Sequence, residues 1–115
     1  MRLAVVGSRE FGDYDRLCAE VAKIQQTQKI DLVVSGSAQG ADTLAKKFAA
    51  KNRIPLMEFL PDYARYGRGA PLQRNSLIVQ NADWVLAFVT ETSRGTWDTI
   101  RKAERAMKKT IIVRV

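Results

Sequence analysis

With 115 residues, 46% of them hydrophobic, the chain is long enough for one domain with an adequate core and too short for a useful second one. Nineteen Lys and Arg against twelve Asp and Glu give a net charge of +7, which favours an anionic partner, and the lack of histidine excludes histidine-based triads and histidine-containing zinc sites. One cysteine, Cys18, excludes an internal disulfide; with no bilayer-length apolar run and no secretory-type N-terminus, the expected setting is the cytoplasm.

Period-two and period-3.6 patterns alternate along the chain. Arg2 to Val6 reads as a short apolar strand that stops at Gly7. Asp13 is an N-cap for a helix running to about Thr27, with Leu17, Val21 and Ile24 on one stripe and Cys18 packing beside it. Asp31 to Ser35 is the second strand. Gln39 to Asn52 is the second helix, with Ala41, Leu44, Ala45 and Phe48 inward. Pro55 to Leu60 is a third strand whose proline suits an edge or a strand end. Pro61 to Gly69 is expected to be irregular. Pro71 to Asn81 is a helix, with Leu72, Ser76 and Val79 at helical spacing. Asp83 to Val89 is the most hydrophobic strand. Gly95 to Met107 is a helix striped by Trp97, Ile100, Ala103 and Met107, and Thr110 to Val115 is the last strand.

The strands are short and valine-rich, with no sustained polar alternation, so both of their faces are expected to be buried. That predicts an α/β fold: a Rossmann-like three-layer α/β/α domain over residues 1–115 with a five-stranded parallel sheet. Right-handed crossovers favour strand order 3-2-1-4-5. The winding direction then reverses between the first and fourth strands. The loops after strands one, two and four meet there, in the crevice where such sheets bind ligands.

The glycine clusters fall in those loops. Gly7 leaves room for a ligand near the backbone, or serves a tight turn; Ser8 and Arg9 beside it suit a phosphate or carboxylate. Gly36, Ser37, Gly40 and Ala41 frame a turn into a helix whose N-terminus can face an anion. Asp42 can interact with the helix dipole, accept from a ribose hydroxyl, or brace this loop against Arg74. Arg74 and Asn75 bring a cation and an amide to the crevice mouth. Gly95 and Thr96 open a further helix and form a second anion site facing the first. Tyr63 and Tyr66 either cover a base or sugar or pack together under their loop. Neither GxGxxG nor GxxxxGK[ST] is present, so the chain is neither a standard dinucleotide binder nor a P-loop ATPase. No metal site and no cofactor are expected.

Taken together, GSRxF…D, VxGxAxGAD, DYxxYGxxA…RN, ADxxxAF and GTxD resemble the SLOG superfamily, in its branch related to YspA and YpsA. This is a Rossmann-like group that also includes the DprA/Smf DNA-processing proteins and the "lonely guy" phosphoribohydrolases. The resemblance implies a nucleotide or nucleotide-derivative sensor or processor, with the ligand over Gly7-Ser8-Arg9, Gly36 to Asp42, Arg74-Asn75 and Gly95-Thr96. Those phosphoribohydrolases carry PGGxGTxxE with a catalytic glutamate. Here the aligned stretch lacks the proline and paired glycines, and Thr99 stands at the glutamate position.

The expected function is therefore binding or sensing of a small anionic ligand, a nucleotide or phosphoribosyl compound. One alternative is a hydrolase or transferase acting on a nucleoside monophosphate, with Glu91 or Asp98 activating water. Another is a nucleic-acid or protein interaction module with a basic stripe from Arg65 and Arg68 to Arg74. Self-association is also expected, with Trp84 and Trp97 either at the interface or in the core. No membrane partner is expected. Replacing Gly40 with valine is expected to harm binding more than Arg74→Ala.

Overall fold

Both faces of each central strand are apolar, so the sheet must be covered twice. The computed structural model describes all 115 residues and shows that arrangement. In chain order the elements are β1 (Arg2–Gly7), α1 (Tyr14–Gln25), β2 (Leu32–Gly36), α2 (Ala41–Lys51), β3 (Leu56–Phe59), α3 (Tyr63–Tyr66), α4 (Ala70–Gln80), β4 (Trp84–Val89), α5 (Arg94–Arg105) and β5 (Lys109–Arg114). A turn of 3-10 helix over Gly67–Gly69 joins α3 to α4. All strand pairs are parallel, in the order β3-β2-β1-β4-β5 expected from the sequence.

Alternate residues of one strand serve opposite cores. Leu3 and Val5 of β1, with Leu86 and Phe88 of β4, pack against Leu17, Val21, Ala45 and Phe48 of α1 and α2. Ala4 and Val6, with Val85, Ala87 and Val89, meet Ile78, Val79, Ile100 and Ala103 of α4 and α5. Phe11, from the β1–α1 loop, stacks on Phe88 with centroids 4.4 Å apart. This closes the first core just below the C-terminal ends of the strands. No helix is long and apolar enough to cross a membrane.

Three sequence expectations need correction. The Pro61–Gly69 stretch is not irregular: Asp62 caps α3 by accepting from the Arg65 N–H at 3.1 Å, and the 3-10 turn follows. The inward stripe of α4 is Ala70, Asn75, Ile78 and Val79, whereas Leu72 is half exposed. Met107 does not continue the α5 stripe and is 93% exposed. The helix ends at Arg105, and Met107 takes φ of +59°. The Lys108 N–H returns to the Ala103 carbonyl and the Met107 N–H to that of Glu104, each at 3.0 Å. That is a Schellman ending with methionine in the left-handed position usually given to glycine. Trp84 and Trp97 are half-buried and pack against the two cores.

Two lysines fasten the α4–α5 side. Lys108 Nζ donates to the carbonyls of Val79 and Ala82, each at 2.6 Å, where α4 runs out of its own N–H donors. Lys102 Nζ donates to the Leu72 carbonyl at 2.6 Å and pairs with Asp98 at 2.9 Å, holding the start of α4 to α5.

Candidate ligand-binding site

The reversal of winding brings the end of β1 beside the end of β4, with Gly7 in register with Phe88. Beyond them lies a cavity of about 410 Å³, walled by the β1–α1 loop, the first turn of α4 and the start of α5. Gly7, Ser8, Arg9, Asp42, Arg74, Asn75, Gly95 and Thr96 all line it. Gly36, Ser37, Gly40 and Ala41 do not; they form the layer behind.

Internal packing explains that second layer. Gly40 has φ of +76°, and a Cβ there would fall on the Ser8 carbonyl and the Arg9 backbone. The Ser8 carbonyl accepts from the Ala41 N–H at 3.2 Å, so the first amide of α2 is already used. The Ala38 N–H donates to Asp42 Oδ2 at 3.1 Å. The turn into α2 therefore spends two of its amides on the protein. Ser8 is likewise engaged: its N–H donates to the Phe88 carbonyl at 2.8 Å, and its Oγ accepts from the Glu10 N–H at 3.2 Å. A Cβ on Gly7 would lie 2.6 Å from the Phe88 carbonyl oxygen and 2.8 Å from Ala41 Cβ, so this glycine lets α2 and β4 meet.

Asp42 and Arg74 face one another across Gly36. A Cβ at Gly36 would lie 2.6 Å from Arg74 Nη1 and 2.9 Å from Asp42 Oδ2. Asp42 is only 8% exposed. Burial pushes its carboxyl up to about 6, against the Ala38 N–H, the Ser35 hydroxyl and the Arg74 charge, which favour ionisation; Glu58 adds to the rise. Arg74 Nε donates to Asn75 Oδ1 at 3.0 Å, while its terminal nitrogens have no partner in the chain. Asn75 is buried and uses its amide nitrogen on the Gly95 carbonyl at 3.2 Å and on Asp98 Oδ2 at 3.1 Å. It aims Arg74 and ties α4 to the start of α5.

The start of α5 is the open anion site. The N–H groups of Gly95 and Thr96 find no acceptor in the chain, as expected for the first turn of a helix. Ser93 is turned away from them; its Oγ accepts from the Thr90 N–H at 3.0 Å and bonds the Thr90 hydroxyl at 2.8 Å. Arg9, Arg74 and Arg94 bring three cations to the lining, against Glu10 and Asp42. Arg94, Glu10, Thr92, Ser93 and Thr99 line the cavity without having been singled out from sequence as ligand residues. Arg94 sits inside the SRGT cluster, and Thr99 follows Thr96 at helical spacing, so both carried a readable signal.

The carboxylates considered for water activation lie elsewhere. Neither Glu91 nor Asp98 lines the cavity. Burial raises the Asp98 carboxyl, but Lys102 and Asn75 outweigh it and hold the group below the usual carboxylate range. Tyr63 and Tyr66 also stand outside the cavity; Tyr63 is 61% exposed, and the Arg65 guanidinium lies 5.3 Å from the Tyr66 ring centroid.

One family model, YAcAr, described as "YspA, cpYpsA-related SLOG family", matches residues 1–66, more than half of the chain. No curated protein and no solved structure matches it.

Proposed function

The chain belongs to the YspA, cpYpsA-related SLOG family, and from that premise we propose that it binds a nucleotide or a nucleotide-derived phosphoribosyl compound in the cavity beyond β1 and β4. The observation that carries this reading is the pairing of the unsatisfied Gly95 and Thr96 amides with Arg9, Arg74 and Arg94 around one cavity. Backbone donors at a helix start hold an anion without any change of protonation, and arginine adds forked, charge-assisted bonds. A cavity of about 410 Å³ falls within the range that takes small-molecule ligands.

In this reading Gly95, Thr96, Arg9 and Arg94 hold the anionic group, Arg74 adds positive charge beside it, and Gly7, Ser8 and Asp42 line the remainder of the cavity. Gly36, Ser37, Gly40, Ala41 and Asn75 shape and brace it. The single reduced cysteine suits a cytoplasmic protein. Mass spectrometry of small molecules carried by the purified protein, followed by calorimetry with a panel of nucleoside mono- and diphosphates, ADP-ribose and ribose 5-phosphate, tests the reading. The expected result is at least one compound binding tighter than millimolar. Failure across the whole panel would overturn it.

A further inference from the structure

The two ends of the cavity differ in the chemistry they offer. At the α5 end there are donors: two free amides and arginine side chains. At the Gly36 end a carboxylate stands beside a guanidinium, and the two do not form an ion pair. Asp42 Oδ2 is used by the Ala38 N–H, but an ionised carboxylate has about four acceptor sites. No fully buried polar side-chain atom in the chain lacks a partner, so the unused capacity of Asp42 opens to the cavity it lines. The terminal nitrogens of Arg74 are donors only, and they are unpartnered.

An acceptor beside a donor, separated by more than an ion-pair distance, selects for one kind of ligand group. A phosphate would be attracted by Arg74 and repelled by Asp42. A hydroxyl satisfies both, because it donates to the carboxylate and accepts from the guanidinium in the same position. Glycine at position 36 lets both groups come this close to the backbone, since a Cβ there would press on Arg74 Nη1 and Asp42 Oδ2.

We propose that Asp42 and Arg74 form a hydroxyl subsite above Gly36, so that the cavity takes a sugar phosphate with its phosphate at the start of α5 and a free sugar hydroxyl between these two side chains. This rests on the proposed nucleotide binding and adds a discrimination: the ligand carries a ribo sugar rather than a deoxy one. At pH 7.5 Asp42 is mostly ionised, given a carboxyl pushed up to about 6, and is available as the acceptor.

The test is calorimetry at pH 7.5 with adenosine and guanosine 5′-monophosphates against their 2′,3′-dideoxy counterparts, which lack both ring hydroxyls. Loss of a hydrogen bond to a charged group predicts weaker binding of the dideoxy compounds by about 10- to 100-fold. Asp42→Asn gives a second reading. The Ala38 N–H holds an oxygen at the Oδ2 place, which faces Gly36 and Arg74, so the variant keeps a neutral acceptor there and loses the charge. The variant is expected to lose part of the ribo preference, as a charge-assisted hydrogen bond becomes a neutral one. Equal affinity of wild type for both sugars would overturn the subsite and leave the phosphate site standing. An undiminished preference in Asp42→Asn would do the same. If neither nucleotide binds, the subsite is overturned for nucleoside monophosphates, and the phosphate site falls with it only if the wider panel fails too. Should Asp42→Asn not fold, the wild-type comparison decides alone.

Discussion

Asp42→Asn should stabilise the protein at neutral pH, and by an amount that depends on pH. Burial raises the Asp42 carboxyl from 3.8 to about 6, so the folded state holds this proton more tightly than the unfolded chain does. The contribution of this group is most favourable below about 4. It is lost as pH rises through 6, where a charge must be kept in the buried site. A rise from 3.8 to about 6 corresponds to a deficit of about 3 kcal/mol at pH 8. Asparagine carries no charge and can still accept from the Ala38 N–H. Urea denaturation, followed by fluorescence of Trp84 and Trp97, should therefore show the variant more stable by up to about 3 kcal/mol at pH 8, with the advantage fading between pH 6 and 4. Asp31 and Asp83 titrate low, through the amino terminus and Arg2 respectively. Asp98 also titrates low: burial opposes it, but Lys102 and Asn75 prevail. Their stabilisation is present above their unfolded values and is lost only as pH falls below about 4, outside this window. A difference between wild type and variant that stays constant from pH 4 to 8, or a variant less stable at pH 8, would refute the reasoning.

Met107→Gly should raise stability by about 1 kcal/mol, because it relieves a left-handed methionine and removes an apolar side chain that is 93% exposed; thermal unfolding measures this. Lys108→Met should lower stability by about 2 kcal/mol in urea, since its ammonium bonds the Val79 and Ala82 carbonyls at the end of α4. Arg74→Ala should remain folded by circular dichroism and bind phosphate-bearing ligands about tenfold or more weakly. Gly40→Val should lose structure before affinity can be compared, because its side chain would occupy the β1–α1 loop; a well-folded Gly40→Val protein would contradict the packing described for Ser8 and Arg9.

The sheet was legible because it follows from composition alone. Buried parallel strands leave apolar runs such as Val85 to Val89, and the connections between them are long enough for helices. Helix ends were less legible where the chain uses no glycine. The end of α2 was readable at Asn52 ahead of the left-handed Arg53, but after α5 the left-handed residue is Met107, and nothing local marks it as a stop. The short α3 lies in a stretch whose glycines and tyrosines read as a loop, although Asp62 supplies an ordinary cap. The inward face of α4 is hidden in the sequence because its buried stripe contains an asparagine, which breaks the apolar periodicity. Asn75 is inward because its amide bridges two helices, a contact separated by more than twenty residues in sequence.

The cavity residues divide according to whether their polar groups are already spoken for. Asn75 has hydrogen bonds that hold the loops, and those bonds would have to break before it reached a ligand, whereas Ser8 Oγ accepts from the Glu10 N–H and keeps its own O–H to donate. The Gly95 and Thr96 amides and the Arg74 terminal nitrogens have no such bonds, so a ligand meets them at no internal loss. Asp42 is the intermediate case. It keeps one bond to its own loop, and its burial disfavours the charge it carries at neutral pH. A carboxylate at this position weakens the fold where an amide would fit, which is the pattern expected when stability is given up for recognition. The cavity is thus built from a braced outer frame and a small set of unsatisfied groups. It is those unsatisfied groups, more than the glycine turns that frame them, that set what the cavity can hold.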